Sequence, residues 1–442
     1  MKLNYKRTIL VGFAFFLISA FWQAYDAIVP LILTNHFGLM QSVSGVIMSF
    51  DNILAVFMLP VFGAISDKIN SRYGRRTPFI FVGTVVAIFA FILLTVVDNM
   101  QLSALAAGTE NGGLLVGFIG MLLLVLIAMA TFRSPAVALM PDVTVKPLRS
   151  KGNAIINLMG AAGGILVLVL GMIFGTGKEA NKMMPLTGYV IAVAAIMAFG
   201  LIVFLFTVKE KKWAEEMEAD TVRYGLVENS KTETIENRAL SRPELVSLLL
   251  ILASVALWYI GYNSITSKYS VYATNILGFD YNATLIIAQA AAIVSYIPVG
   301  IIASKIGRKK SILAGVVMLA AAFFAGHFIT ADMPSFIMFP IFILAGIGWA
   351  TINVNSFPMV VELARGGDVG KYTGFYYTAS MAAQIVAPIF SGFLYDALGM
   401  REVFFVFGTV FVALSFVTMF FVRHGDAKPE AKVGLEALDN DD

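Results

Sequence analysis

The apolar residues of this chain gather into twelve long runs separated by short polar loops. A helix that crosses a bilayer needs roughly 20 consecutive apolar residues, and each run is long enough. The pattern predicts helices over residues 8–33, 42–66, 77–97, 113–141, 151–175 and 186–208. A second set follows over 243–275, 281–303, 311–330, 335–362, 371–398 and 401–423. Between the sets lies one long polar interruption with Lys209, Glu210, Lys211, Lys212, Glu215, Glu216, Glu218 and Asp220. The expected organisation is a six-helix bundle in 1–208, a linker in 209–242, a second bundle in 243–423 and a tail in 424–442. The tail is acidic and reads as disordered. The fold class expected is an all-α membrane protein of twelve transmembrane helices.

The halves repeat one another. A basic, glycine-punctuated loop runs from Gly63 to Pro78, and a shorter version from Gly300 to Lys310 follows the second helix of the other half. Thr34-Asn35 and Gly38 recur as Thr274-Asn275 and Gly278. Asp142, followed by Arg149 and Gly152, is echoed by Glu362, Lys371 and Gly374. The bundles are therefore expected to be pseudo-symmetric. Parallel repeats around a site near the midplane are the architecture of alternating-access carriers, an inference by fold-level analogy.

Composition makes lipid the solvent. The chain is 59% hydrophobic and 13% charged, against about 45–50% and about 25% in soluble domains. The run at 8–33 is too long for a signal peptide and no small-residue cleavage site follows it, so it reads as the first helix. With the N-terminus inside, 26 of the 31 Lys and Arg fall on the cytoplasmic side. Lys178, Lys182 and Arg401 lie outside, and Arg133 and Lys268 within helices. The excess of positive charge places both termini in the cytoplasm and the chain in the cytoplasmic membrane.

Several classes drop out. There are no cysteines, so disulfide and thiolate chemistry are excluded. His36, His327 and His424 lie near predicted loops without metal-ligand spacing, and there is no nucleophile elbow. No nucleotide-binding loop is present, so the energy source must be an ion gradient. No enzyme, metal or cofactor is expected, and the net charge of +3 gives no sign of a nucleic-acid partner.

Polar groups inside the apolar runs carry the candidate chemistry, because a charge at a helix centre costs about 2.5–3.5 kcal/mol and so faces the interior. Asp26 lies mid-helix in Phe-Trp-Gln-Ala-Tyr-Asp, with Trp22 one turn before it and Gln23 alongside. It could bind a hydroxyl or carry a proton, or it could be a structural ion pair with Arg133 or Lys268. Asp51 beside Asn52 is a second candidate proton carrier, with a helix-packing hydrogen bond as the alternative. Arg133 could hold either acid through a bidentate bond. The seventh run carries Trp258, Tyr259, Tyr262, Asn263, Thr266 and Lys268; residues four apart share a face, giving a polar aromatic strip. Sugars present apolar C–H faces rimmed by hydroxyls, which suits Tyr259, Tyr262 and Asn263. Tyr269 and Tyr272 read as an interfacial belt, and Lys268 as a side chain that snorkels outward. Trp349 and Asn353 share a face of the tenth run. Asn355, Asn157, Tyr377 and Gln384 are weaker candidates.

The motifs carry a family resemblance. Gly300 to Lys310 has the major facilitator spacing Gly-x-x-x-Asp-Arg/Lys-x-Gly-Arg-Lys/Arg, with Ser304 in place of the acid. The first copy keeps Gly63, Asp67 and Lys68 but inserts four residues before Gly74-Arg75-Arg76. This longer form, and Arg133-Ser-Pro-Ala-Val-Ala-Leu-Met-Pro-Asp142, resembles the sucrose transporters and the related glycoside–pentoside–hexuronide:cation symporters. The resemblance implies a proton-driven symporter of a disaccharide or other glucoside, sucrose- or maltose-like, working as a monomer by alternating access. It also implies that Asp67, Arg72, Arg75, Arg76, Asp142, Arg149, Lys305, Arg308 and Glu362 form gate-locking clusters; plain topogenic charge is the alternative. Asp67 ends its helix against the dipole, so its expected partner is Arg75 or the N-terminus of the helix at 371–398.

The chain departs from the family at the coupling group. Val137 stands where the plant sucrose transporters carry an arginine, and Leu122 to Thr131 contains no acid. Ala55 and Leu59 stand where melibiose-type sodium symporters place aspartates. Proton coupling is therefore assigned to Asp26, Asp51 and Arg133, and cargo binding to Trp22, Gln23, Asp26, Asn52, Tyr259, Tyr262, Asn263, Trp349 and Asn353. The alternatives are a sodium-coupled glycoside symporter, a drug/proton exporter or a non-transporting sugar sensor.

Overall fold

A computed structural model describes residues 3–109, 112–224, 240–363 and 369–425. The middle of the linker and the tail beyond Gly425 lie outside the described residues, so the reading of the tail does too. Twelve of the described helices are long and apolar enough to span a membrane. They are α1 Tyr5–His36, α2 Gln41–Lys68, α3 Thr77–Ala106, α4 Gly112–Asp142, α5 Lys151–Phe174 and α6 Thr187–Thr207, then α8 Arg242–Leu277, α9 Tyr281–Ile306, α10 Arg308–His327, α11 Ser335–Val361, α12 Lys371–Leu398 and α13 Met400–Phe420. Every predicted run is found as a helix. In lipid each backbone group must be bonded within its own segment, which is why hydropathy alone locates them. A further helix, α7 Glu210–Arg223, forms in the polar linker, where no helix was predicted. It is amphipathic in a restricted way: only Glu210 and Trp213 are buried.

Local sequence sets three features that matter for the site. Ser49 interrupts α2, leaving pieces Gln41–Met48 and Phe50–Lys68 with Asp51 in the first turn of the second. That turn is the positive end of the half-helix dipole, a favourable place for a carboxylate. α1 and α8 both finish in a π-helical turn, over Ile32–His36 and Tyr272–Leu277, followed by Gly38 (φ 62°) and Gly278 (φ 69°). The repeated Thr-Asn dipeptides fall inside these turns, so the sequence repeat is a structural one. α8 opens with a capping box from Ser241 and Glu244 and with Pro243 in its first turn.

The chain divides into two units. The first comprises Met1–Met40, Val46–Val227 and Ala273–Ala283. Its core includes the fully buried Phe21, Tyr25, Phe91, Phe118, Phe132, Tyr189 and Phe204. The second comprises Gln41–Gly45, Glu228–Tyr272 and Thr284–Asp442. There α10 and α11 meet backbone to backbone: a Cβ on Gly315 would stand 2.9 Å from the Gly348 carbonyl oxygen, and one on Gly348 2.9 Å from that of Gly315. Small residues at crossings let helices pack closely where lipid offers no hydrophobic drive between them.

Candidate functional site

Within the first unit, Asp26, Asp51 and Arg133 approach one another from α1, α2 and α4. Each is close enough for its field to act on another: Asp51 and Arg133 on Asp26, and Arg133 on Asp51. None of the three is in ion-pair contact with another among the described residues. Asp26 is exposed while its neighbours Tyr25 and Ala27 are buried. Asp51 and Arg133 are half-buried. One oxygen of Asp51 accepts both the Asn52 backbone N–H (2.5 Å) and the Asn52 side-chain amide (2.8 Å). The Arg133 guanidinium stands over Trp22, 5.6 Å from the ring centroid. The Trp22 Nε1–H and the Tyr25 hydroxyl are buried and bonded to nothing among the described residues. Gln23 is half-buried on the same helix. The cluster thus offers two carboxylates, one guanidinium and two uncommitted donors.

Within the second unit, Trp349 on α11 meets two rings from α8. Tyr262 stacks on it and Tyr259 meets it edge-on, with centroids 5.3 Å apart and planes at 81°. All three are half-buried. The Asn353 Oδ1, one turn beyond Trp349, accepts no hydrogen bond among the described residues. Asn263, by contrast, donates its amide to the Tyr259 carbonyl oxygen at 2.8 Å, so that donor is taken up by its own helix.

The basic loop between α2 and α3 is tied down by acids. Arg76, only 5% exposed, reaches Asp67 at 2.5 Å and Asp142 at 2.7 Å, and also donates to Ser66. Burial works against its charge, but Asp142 and then Asp67 outweigh that and hold its pKa above the ordinary arginine value. Arg75 lies 3.6 Å from Asp142. The expected Asp67–Arg75 pairing is thereby corrected: Asp67 pairs with Arg76, and Arg75 turns to Asp142. Arg149 donates to the carbonyls of Pro141 and Thr144, both at 3.1 Å, where the end of α4 leaves acceptors open. Arg72 is exposed and donates to the neighbouring Tyr73 hydroxyl. In the second unit Arg308 donates to Glu362 at 2.7 Å. Lys305 is exposed and makes no hydrogen bond or ion pair among the described residues.

These paired loops sit at the places the repeated motif requires, and the sequence profile of the Major Facilitator Superfamily matches residues 11–361 and 285–438. The chain belongs to the Major Facilitator Superfamily. It is a multi-pass membrane transporter of a small molecule and not an enzyme. Over 430 residues this facilitator is 24% identical to an uncharacterized transporter of the same type from Methanocaldococcus jannaschii, covering 94% of this chain and 95% of that one. A stretch of 137 residues is 33% identical to a sucrose transport protein of Arabidopsis thaliana, 29% of this chain and 23% of the relative. A stretch of 171 residues is 30% identical to the human proton-associated sugar transporter A, 38% of this chain and 22% of that one. The chain therefore matches about a quarter of the length of those two sugar transporters. Among solved structures, the fold is similar to a bacterial homologue of the iron transporter ferroportin (TM-score 0.68, 14% identity, 95% of this chain and 99% of that one). It is equally similar to the xylose transporter of E. coli (TM-score 0.68, 13% identity, 98% and 99%).

The facilitator also corrects the reading of α8. Lys268 does not snorkel: it is fully buried, and its Nζ donates to Ser44 Oγ at 2.5 Å. Nor is it an ion-pair partner of Asp26. Asp396, whose field reaches Lys268, accepts the backbone N–H groups of Gln41 at 2.8 Å and Ser42 at 2.7 Å. Tyr269 and Tyr272 form no interfacial belt, being 1% and 0% exposed. Tyr272 stacks on Phe404 with centroids 4.1 Å apart and accepts from Arg401 at 2.8 Å.

Sequence reasoning missed one buried pair. His36 Nδ1 lies 2.6 Å from Asp98 Oδ1, with the two side chains 2% and 0% exposed. His36 Nε2 lies 3.1 Å from the Lys182 carbonyl oxygen, which can only accept, so Nε2 carries a proton. The pair is then either imidazolium with carboxylate or imidazole with carboxylic acid, neutral as a whole in both forms. The one available signal was an acid just past an apolar run; α3 continues to Ala106 and takes Asp98 inside.

Proposed function

We propose that this facilitator is a proton-coupled symporter of a disaccharide or other glucoside, sucrose- or maltose-like, working by alternating access in the cytoplasmic membrane with both termini inside. The observation that carries the reading is the Asp26–Asp51–Arg133 cluster: two carboxylates within reach of one guanidinium, with no contact ion pair to fix either in one charge state. Protonation of one acid changes what Arg133 attracts, which links proton binding to cargo binding. Trp22 and Tyr25 add donors for hydroxyls, and Tyr259, Tyr262 and Trp349 supply the aromatic surface that a sugar's C–H face fits. The partial likeness to a sucrose transport protein and to a proton-associated sugar transporter supports the same cargo and ion. In this reading residues 1–208 and 243–423 are the moving halves and 209–242 joins them.

A thermal-shift screen of mono- and disaccharides on purified protein tests the cargo. At least one glucoside should raise the unfolding temperature of the wild type and of Asp26→Asn, and leave Arg133→Ala unmoved. A stacked Tyr262–Trp349 pair would also suit a flat apolar cation, as in a drug/proton exporter. Stabilisation by such cations, with none by any sugar, would favour that reading.

A further inference from the structure

The linker helix α7 holds the basic loop through a single carboxylate. Glu210 is 2% exposed. Its Oε1 accepts the backbone N–H of Arg75 at 2.6 Å and of Arg76 at 2.8 Å. Its Oε2 accepts the backbone N–H and the hydroxyl of Thr77 at 2.8 and 2.7 Å. The Arg76 and Thr77 N–H groups are among those that the start of α3 leaves open, at the positive end of that helix's dipole. Four donors on one ionised carboxylate make charge-assisted bonds, about twice as strong as neutral ones. The fit excludes a side chain at Gly74, where φ is 116° and a Cβ would stand 2.2 Å from the Glu210 carboxyl carbon. One turn along, Trp213 is 8% exposed with Arg7 4.8 Å from its ring centroid, and Arg7 pairs with Glu216 at 2.5 Å. The linker helix is thus docked on the rest of the first unit at three points.

We propose that Glu210 is a positioning residue of the gate: by fixing the backbone from Arg75 to Thr77 it delivers Arg76 to Asp67 and Asp142 together. Glu210 touches neither acid. It acts on them through Arg76, so the linker reports on, and sets, the strength of the Asp67–Arg76–Asp142 cluster. The proposal rests on reading that cluster as a gate. It adds that a residue 135 positions away in the chain, in the linker, determines whether the gate can form.

The chain has no cysteine, so one reporter thiol can be followed cleanly. Ser134→Cys, on α4 between Arg133 and Asp142, is labelled with N-ethylmaleimide on purified full-length protein, a readout that needs no cargo. Asp142→Asn should change the labelling rate about fivefold or more, as expected of a broken ion pair that shifts a population. Glu210→Ala should change it in the same direction by a similar factor, and the double variant should do no more, because both remove one coupled interaction. Glu210→Gln, which keeps one acceptor oxygen and the side-chain volume, should fall between. If Glu210→Ala does not fold, Glu210→Gln carries the test alone. A wild-type labelling rate in the Glu210 variants beside a changed rate in Asp142→Asn would overturn the proposal, as would multiplying effects in the double variant. An unchanged rate in Asp142→Asn would instead sink the gate reading itself, and the proposal with it.

Discussion

Tyr262 lies flat on Trp349, with ring centroids 3.5 Å apart and planes 4° from parallel. Tyr259, one turn earlier on the same helix, closes on the same indole edge-on. Such pairs contribute about 0.5–1.5 kcal/mol beyond the area they bury. If a glucoside rests on this cluster, Trp349→Ala should raise its apparent KM about tenfold, a loss near 1.4 kcal/mol, with little change in maximal rate. Trp349→Phe should keep most of the affinity. Initial rates of uptake into proteoliposomes separate the two parameters. An unchanged KM in folded Trp349→Ala would remove the cluster from the cargo site.

The acids of the first unit should separate coupling from movement. Asn cannot carry a proton, so Asp26→Asn should lower gradient-driven uptake by about tenfold or more while cargo exchange at equal concentrations persists. Arg133→Ala should depress both, since it removes the cation whose field acts on both acids. Parallel uptake and counterflow assays check this. Full gradient-driven accumulation by Asp26→Asn would exclude Asp26 as the proton carrier.

What the sequence made legible follows from its solvent. Lipid forces each spanning segment to satisfy its own backbone, so the twelve helices could be read from hydropathy, and the charges inside them stood out as Asp26, Asp51, Arg133 and Lys268. The repeated Thr-Asn dipeptides were visible as text, and the structure gives them one form, a π-turn before a left-handed glycine. Partners were not legible. Arg75 and Arg76 are adjacent and chemically identical, and which of them meets Asp67 depends on a loop backbone held by a distant Glu210. Lys268 resembled a snorkelling side chain because Ser44, its bonded partner, belongs to a far part of the chain. Asp98 was hidden because Asp98, Asn99 and Gln101 imitate the polar end of a helix that in fact runs on.

The His36–Asp98 pair should be a structural staple. Removing one member of a buried pair leaves the other uncompensated, at a cost of about 3–5 kcal/mol. Asp98→Asn and His36→Ala should each lower the thermal unfolding midpoint clearly, and the double variant should lose less than the sum. Stability equal to wild type in both single variants would show that the pair holds nothing together.

Lys268, buried, and Asp396, half-buried, should behave differently although both lie near the start of α2. Lys268 has one hydrogen-bond partner among the described residues, Ser44, and no contact ion pair there, so an apolar side chain of similar volume also removes the cost of burying its charge. Lys268→Met should therefore keep thermal stability. Asp396 accepts two backbone N–H groups, and bonds to a charged acceptor are worth about 1.5–3 kcal/mol. Asp396→Asn should cost stability on that order. Equal losses in the two variants would show that Lys268 is held as firmly as Asp396.

Proton movement driven by sugar is the most direct measurement. Sucrose and maltose are added in turn to lightly buffered proteoliposomes while external pH is recorded. At least one should make the outside more alkaline as protons enter with cargo, and a protonophore or Asp26→Asn should abolish the signal. Sugar uptake that proceeds unchanged after the proton gradient is collapsed, with no pH change, would contradict the account.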